Sequence, residues 1–237
     1  MEYQNNKLRH ELKYFISEAA YYDLRVQMRN FLKPDENMTD ENGYTIRSMY
    51  FDDYRNTCAS DKEDGVRIRS KYRVRIYNGS DTKISLEKKS KFDNYTSKSS
   101  APLSREEYER ILKGEYGFLS FKQNQTCMDL FCAHNTRLMR PKLIVDYLRE
   151  AYYLREGNVR ITFDKHLHAG VHSVNMFDPN LILSSVLPRN ILILELKYDE
   201  FLPEFVKRIL KGQPKDHCAI SKYLLCVKEL RKVKLYV

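Results

Sequence analysis

The sequence contains no tryptophan, and no segment of its 237 residues is rich in glycine, proline or serine. Because flexible interdomain linkers have such compositions, a second domain is not indicated. No apolar run approaches the ~18 residues that cross a bilayer, and the N-terminus lacks the apolar core of a signal peptide. We therefore expect one soluble, cytoplasmic domain over residues 1–237, without membrane insertion.

Metal-binding and disulfide patterns are also missing. The cysteines form an odd set without a C-x-x-C pair: Cys58, Cys127, Cys132, Cys218 and Cys226. Neither a disulfide framework nor a zinc site is indicated, and a reducing compartment is expected. The segment HLHAGVH, residues 166–172, has no accompanying carboxylate at a known ligand spacing, so ordinary surface histidines are expected there.

Positive charge is abundant, and it is concentrated on predicted strands. Lys and Arg number 41 against 32 Asp and Glu, a net charge of +9 that suits an anionic partner. In VRIRSKYRVRIY, residues 66–77, alternate positions carry Arg67, Arg69, Lys71, Arg73 and Arg75. On one strand face, adjacent members of this set lie about 6.8 Å apart and repel by about 0.6 kcal/mol in water. Carboxylates or an anionic ligand must offset this repulsion.

Alternation of apolar and polar residues predicts more strands than helices. The predicted strands cover 8–17, 44–52, 69–77, 83–91, 95–99, 142–153, 158–164 and 191–198. Capping and periodicity predict helices over 17–32, 105–113, 126–138, 203–211 and 219–233. The strands are mostly connected locally, which indicates an α+β fold with an antiparallel sheet or barrel and peripheral helices.

Charged residues share one face on several of these strands. Such same-face sets are Glu11 with Lys13, Glu87 with Lys89, Tyr147 with Arg149, Arg160 with Asp164, and Glu195 with Lys197. An open sheet with water in front of it is one explanation. Repetition over five strands favours a closed barrel with a polar, cation-rich lumen. Its cations would neutralise phosphates, and its acids would be hard oxygen ligands for Mg²⁺ or Mn²⁺.

Six short motifs carry a resemblance to a known family. In order they are RHELKY (9–14), KYRVRIY (71–77), LEKK (86–89), VRITFD (159–164), LELKY (194–198) and ISKY (220–223). The set resembles the polyphosphate polymerase domain of the vacuolar transporter chaperone (VTC), within the CYTH-like triphosphate tunnel metalloenzymes. The resemblance implies an antiparallel tunnel barrel with helices packed around the outside. ATP would bind inside it, and a divalent metal would assist transfer of the γ-phosphoryl to polyphosphate.

The resemblance and the shared strand faces together give the expected site. The expected catalytic cations are Arg73, Arg75, Lys89, Arg149, Arg160 and Lys222. Phosphate-binding roles are expected for Lys13, Lys98, Tyr147, Lys197 and Ser221, and metal ligation for Glu195 and Glu11. Two positions depart from the family pattern. Arg9 replaces the first acid of the E-x-E-x-K motif of hydrolase and cyclase relatives, and Ala219 replaces a lysine of the eukaryotic polymerases.

Other functions fit parts of the pattern. A module that binds triphosphate or polyphosphate without turnover, or an inorganic triphosphatase, would need the same tunnel. A single-stranded nucleic-acid platform could stack bases on Tyr50, Tyr72 or Tyr77. The acids on the cationic faces would repel nucleic acid, so no nucleic-acid partner is expected. Because the family's regulatory and membrane segments are missing, a membrane or regulatory partner would be supplied in trans.

Overall fold

The computed structural model describes residues 10–38, 40–93, 95–211 and 219–232, together with the backbone of 2–3 and 6–7. The strands are β1 (Glu2–Tyr3), β2 (Asn6–Lys7), β3 (His10–Ser17), β4 (Lys33–Pro34), β5 (Tyr44–Asp52), β6 (Ile68–Tyr77), β7 (Ser80–Phe92), β8 (Tyr95–Leu103), β9 (Arg140–Leu154), β10 (Val159–Val171), β11 (Ile182–Ser185) and β12 (Ile191–Tyr198). The helices are α1 (Glu18–Phe31), α2 (Thr57–Glu63), α3 (Arg105–Leu112), α4 (Gln125–Arg137), α5 (Glu204–Leu210) and α6 (Lys222–Lys232). Arg9 and Cys218 lie outside the described residues.

Ten of the strands form one antiparallel sheet. Its main order is β3-β12-β10-β9-β5-β6-β7-β8, with β11 beside β10 and β4 beside β9. The sheet curves so strongly that β3, at one edge, approaches β7 and β8 at the other. Glu11 of β3 forms a 2.6 Å ion pair with Lys89 of β7, and the ring of His10 lies 5.9 Å from that of Tyr95.

We call this region, where β3 faces β7 and β8, the seam. In the described part of the chain no backbone ladder joins β3 to β8, so side chains rather than strand pairing close the tunnel there. The predicted α+β class and antiparallel tunnel architecture are confirmed, with a strongly curved sheet whose ladder remains open.

The apolar faces of the strands turn outward and are covered by helices. Leu194 and Leu196 of β12 are buried in a cluster with Leu24 and Met28 of α1. A second cluster joins the outward residues of β6 and β7 to α3, α4 and α6. Since neighbouring residues of a strand point to opposite faces, Glu195 and Lys197 must point inward. Burial of the apolar face thus directs the charged face into the tunnel.

Local sequence signals explain most element boundaries. The Ser17 hydroxyl accepts the backbone N–H of Ala20 at 3.2 Å and starts α1, as predicted. The β6–β7 hairpin turns at Asn78 and Gly79, which have φ values of 51° and 68°, the conformation that an Asn-Gly turn favours. At Gly43, with φ 102°, a Cβ atom would lie 2.0 Å from the carbonyl oxygen of Arg149, so only glycine fits.

Several elements differ from the prediction. The short helix α2 and the strands β4 and β11 were not predicted, and β10 continues to Val171 instead of ending near 164. An irregularity in the β9–β10 register between Lys165 and His168 breaks the alternation there. Within the described ranges, no helix has both the length and the apolar character needed to cross a bilayer.

Candidate functional site

The interior of the curved sheet encloses a cavity of about 680 Å³. Strands β3, β5, β6, β7, β8, β9 and β12 form its wall, and Lys62 of α2 and the residues at the start of α6 complete it. The described lining contains eleven Lys and Arg side chains against two Glu side chains. Such an excess of cations around one space suits a ligand with several negative charges.

Eleven of the thirteen predicted site residues line this cavity. They are Glu11, Lys13, Arg73, Arg75, Lys89, Tyr147, Arg149, Glu195, Lys197, Ser221 and Lys222. These residues come from five strands and from the start of α6. The sheet therefore brings together groups that lie up to 211 positions apart in the chain.

The other two predicted residues, Arg160 and Lys98, lie outside the cavity lining. Arg160 forms an ion pair with Asp35 at 2.9 Å and donates to the Tyr44 hydroxyl at 3.0 Å. Lys98 pairs with Glu87 at 3.0 Å, and its side chain is 52% exposed. Both residues sit on the interior face of the sheet but flank the cavity, because their positions along the strands differ from those of the lining residues.

The two carboxylates of the lining are each held by cations. Glu11 lies 2.7 Å from Lys13 and 2.6 Å from Lys89. Burial raises the pKa of Glu11, but the ammonium groups of Lys13 and Lys89 outweigh this effect and bring the pKa to about 2. Burial likewise raises the pKa of Glu195, and Lys197 at 2.9 Å and Lys13 hold it well below its usual range. Both acids are therefore ionised at neutral pH.

A third acid is Asp164. Alternation along its strand predicts that it faces inward, but the sequence does not predict a role for it in the site. Its fully buried carboxylate binds the Arg149 guanidinium through two bonds of 2.6 and 2.8 Å. The Nζ atom of Lys222 lies 2.5 Å from the same carboxylate. Asp164 thus joins a strand residue to a helix residue beneath the cavity. Its two partners lie 15 and 58 positions away in the sequence, so no local pattern identifies it.

A fourth acid, Glu87, orients the two arginines of β6. Its buried carboxylate accepts from the Nε atom of Arg73 at 2.7 Å and lies 3.9 Å from the Nη1 atom of Arg75. Burial raises the pKa of Glu87, but Arg73 and Arg75 lower it well below its usual range. This acid binds two nitrogen atoms of Arg73 and thereby fixes its guanidinium plane, while the Nη1 atom of Arg73 is left to donate to a hydroxyl of the cavity lining.

Three hydroxyl groups accompany these cations. The Tyr147 hydroxyl accepts from the Nη2 atom of Arg75 at 3.3 Å, and the Tyr50 hydroxyl accepts from the Nη1 atom of Arg73 at 2.8 Å. The Ser221 hydroxyl lies 3.4 Å from the Nζ atom of Lys71. Burial raises the pKa of Tyr50, and the two guanidinium groups lower it below its ordinary value. The sequence indicated Tyr50 only as a stacking surface.

One part of the lining has cations without acids. Among the described residues, Lys62, Arg69, Lys71 and Lys91 have no ion pair with a carboxylate. Burial lowers the pKa of Lys62 to about 8, and Arg69 and Lys91 contribute to the shift. The charge repulsion inferred from the sequence of residues 66–77 is thus offset by acids around Arg67, Arg73 and Arg75, whereas no described carboxylate pairs with Arg69 or Lys71. The remaining cluster is the part of the cavity most in need of an anionic ligand.

Glu11 and Glu195 could bind a hard divalent cation only if a phosphate ligand supplied further oxygen atoms. In the described ranges, no group of three or more His, Cys, Asp and Glu side chains could hold a metal ion by itself. Mg²⁺ is commonly bound by one or two carboxylates together with phosphate oxygens of a substrate. Two ionised carboxylates on the adjacent strands β3 and β12 meet that requirement when a phosphate ligand supplies the remaining oxygens.

Comparisons with known proteins show which solved structures have a similar fold. No curated protein that was compared matches the sequence significantly. A protein from Pyrococcus horikoshii OT3 has a similar structure, with a TM-score of 0.51 and 12% identity over 93% of this chain and 99% of that chain. A Bacillus halodurans protein named "putative adenylate cyclase" has a TM-score of 0.52 and 13% identity over 90% of this chain and 95% of that chain. At these identities the likeness shows the fold alone.

The family comparison is more specific than the structural one. The model of the VTC domain matches residues 8–231, which include every residue of the cavity lining. The match agrees with the resemblance found in the short motifs of the sequence. This chain therefore belongs to the VTC domain family.

Proposed function

We propose that this protein is a metal-dependent phosphotransferase that moves the γ-phosphoryl group of ATP onto a polyphosphate chain inside the tunnel. One observation carries the proposal: eleven cationic side chains from separate elements converge on one cavity that also contains two ionised carboxylates. A triphosphate carries about four negative charges, and a polyphosphate chain carries more. Both therefore match a cavity with this charge excess.

Arg73 and Arg75 are the proposed clamp on the triphosphate. Glu87 holds both guanidinium groups in place, and their remaining N–H groups can donate to phosphate oxygens as a fork. Arg149 and Lys222, both beside the Tyr147 ring, share the buried Asp164 and present two further positive charges. These groups stabilise negative charge on the transferring phosphoryl group without moving during the reaction.

Other lining residues have supporting roles in the proposal. Lys13, Lys89 and Lys197 bring point charges to the β3 side of the cavity, and Tyr147 and Ser221 supply hydroxyl donors. Arg160 and Lys98 flank the cavity, so the phosphates they would contact are those of a chain longer than three units.

Mg²⁺ or Mn²⁺ is the proposed cofactor. Glu11 and Glu195 would hold it together with phosphate oxygens, and it would neutralise charge on the triphosphate. In the transfer itself, a terminal oxygen of the acceptor chain bonds to the γ-phosphorus. The bond from that phosphorus to the β,γ-bridging oxygen breaks, and ADP leaves. The contribution of this chain is to align the two anions that would otherwise repel each other.

A binding module without turnover is the second candidate, and one observation favours it. In the described cavity both carboxylates are already engaged by lysine or arginine side chains at 2.6–3.2 Å. A metal ion must compete with these cations for the same oxygens. A protein that only captures triphosphate or polyphosphate has no need of that exchange.

The test measures polyphosphate formation and ATP loss by purified protein with Mg²⁺ or Mn²⁺, in parallel with tripolyphosphate binding by calorimetry. Arg75→Ala and Glu195→Gln should abolish polyphosphate formation while circular dichroism shows a retained fold. Lys89→Ala and Lys88→Ala form a matched pair, because Lys88 is adjacent but pairs with Asp129 outside the cavity. Only the first of the pair should reduce activity.

Each outcome separates the candidates. Undiminished synthesis in Arg75→Ala or Glu195→Gln contradicts the proposed site. Tight tripolyphosphate binding by the wild type, without ATP loss under any metal condition, supports the binding module. Absence of both binding and turnover would exclude the two candidates together.

A further inference from the structure

Helix α6 delivers two residues to the cavity, Ser221 just before it and Lys222 in its first turn. The strand residues of the site are fixed by the backbone ladder of the sheet, whereas α6 belongs to no ladder. Apolar residues such as Val227 and Leu230 bury one face of the helix. Apolar contact is non-directional, so it does not by itself set where the first turn of α6 points.

A directional contact is made by Asp52, the last residue of β5. Its side chain is fully buried, and all its described hydrogen bonds come from neutral donors. The Oδ1 atom accepts the N–H groups of Asp53 at 2.9 Å and Cys58 at 2.8 Å. The Oδ2 atom accepts the N–H of Ala59 at 3.2 Å and the hydroxyl of Tyr223 at 2.5 Å.

Tyr223 links this carboxylate to the cavity. It follows Lys222 directly in the chain, and its ring stacks on that of Tyr50 at a centroid distance of 5.2 Å. The Tyr50 hydroxyl in turn accepts from Arg73 at 2.8 Å. The position of Tyr223 therefore constrains the residue before it and the tyrosine beside Arg73 at the same time.

We infer that Asp52 is a positioning residue, which through Tyr223 sets the location of Lys222 and Ser221 in the cavity. The same carboxylate accepts the N–H groups of Cys58 and Ala59 in the first turn of α2, the helix that carries Lys62. One buried side chain thus fixes the approach of two helices that each bring a cation to the site. Hydrogen bonds suit this task, because their directionality specifies geometry in a way that apolar contact does not.

The ligand-binding part of this inference rests on the proposed function, and its test uses two readouts. Tyr223→Phe removes the hydroxyl and keeps the ring, and Tyr116→Phe is the matched control because the buried Tyr116 hydroxyl has no described partner. The first readout is the affinity for tripolyphosphate. Tyr223→Phe should weaken it about threefold or more, whereas Tyr116→Phe should leave it unchanged. In a Lys222→Met background, Tyr223→Phe should cause no further loss.

The second readout needs no ligand: the rate at which an amine-specific reagent labels Lys222, followed by mass spectrometry. Tyr223→Phe should raise that rate severalfold at unchanged labelling of Lys113, and Tyr116→Phe should not. Asp52→Glu is a second variant, which keeps the acceptor oxygens but shifts them, and should behave like Tyr223→Phe.

Equal losses of affinity with and without Lys222, or an unchanged labelling rate in Tyr223→Phe, would overturn the inference. Failure of the wild type to bind tripolyphosphate would overturn the proposed function alone, since the labelling experiment would still decide the role of Asp52.

Discussion

Glu11 and Lys89 form a 2.6 Å ion pair although their strands, β3 and β7, stand near opposite ends of the strand order. The pair lies in the seam and also in the lining of the cavity. Closure of the tunnel and the charge pattern of the candidate site are therefore properties of the same side chains. A change in the charge of either residue should alter both stability and ligand binding.

Glu11 makes stability depend on pH in the acid range. The folded protein holds the pKa of this group at about 2, compared with an ordinary value of 4.5 in the unfolded chain. The unfolded chain thus binds more protons between these values, so the stabilisation is complete above about pH 4.5 and is lost as the pH falls toward 2. In Glu11→Gln, the acid-induced loss of unfolding free energy should be smaller by on the order of 2 kcal/mol.

Urea unfolding at a series of pH values measures this difference. Glu109→Gln is the control, because that residue forms an exposed pair with Arg105 on α3. It should follow the wild-type curve. If the unfolding free energies of wild type and Glu11→Gln changed with pH in the same way, the role assigned to the ion pairs of Glu11 would be contradicted.

Lys62 should couple ligand binding to proton uptake. Its pKa is lowered to about 8, so the side chain loses its charge as the pH rises through that value. A bound polyanion stabilises the ammonium form and raises this pKa, and binding above pH 8 should therefore take up protons. Calorimetry of tripolyphosphate binding in two buffers with different ionisation enthalpies gives the number of protons. Lys62→Met should reduce the uptake, whereas the exposed Lys113→Met should not.

Asp164 should be the acid on which folding depends most. Its carboxylate has no exposure and serves both Arg149 and Lys222. Asp164→Asn leaves two buried cations with reduced compensation, so the free energy of unfolding should fall by about 3–5 kcal/mol. Asp93→Asn breaks an exposed pair with Arg67 and should cost at most about 1 kcal/mol. If urea unfolding showed equal losses of unfolding free energy in Asp164→Asn and Asp93→Asn, the structural role assigned to Asp164 would be contradicted.

Arg160 and Lys98 provide a test of where along the tunnel the triphosphate binds. Because they flank the cavity and pair with Asp35 and Glu87, their replacement by Ala should weaken tripolyphosphate binding less than about threefold. Arg75→Ala should weaken it more than about tenfold, since Arg75 lies buried in the cavity wall. Titration calorimetry separates these ranges. A tenfold loss in Arg160→Ala would place the triphosphate farther along β10 than the cavity.

The sequence predicted the strand faces well, because alternation is a local property. The bounds of β5 and β12 agree with the predicted 44–52 and 191–198, and the charged face of β12, with Glu195 and Lys197, turns inward as expected. The placement of Arg160 and Lys98 shows the limit of this reasoning. A face can be assigned from alternation, but the height of a residue in the tunnel depends on the stagger between strands, which no local pattern encodes.

Helix α2 was missed for a related reason. It has seven residues, begins after Asn56 in the left-handed region at φ 58°, and lacks an apolar periodicity. The Asp52 carboxylate binds N–H groups in the first turn of this helix and also accepts the hydroxyl of Tyr223, which lies 171 positions away in the sequence. Its cavity residue Lys62 therefore could not be identified from sequence, although the neighbouring cations of β6 were.

The open ladder at the seam also bears on how a long polymer could reach the interior. A cylinder whose wall is hydrogen-bonded all the way around admits a chain only by threading from an end. Here, side-chain contacts such as Glu11–Lys89 join β3 to the opposite strands. Parting such contacts exchanges an ionic pair for hydration and, among the described residues, breaks no backbone hydrogen bond between β3 and the opposite strands, so opening the seam costs less than opening a fully paired wall.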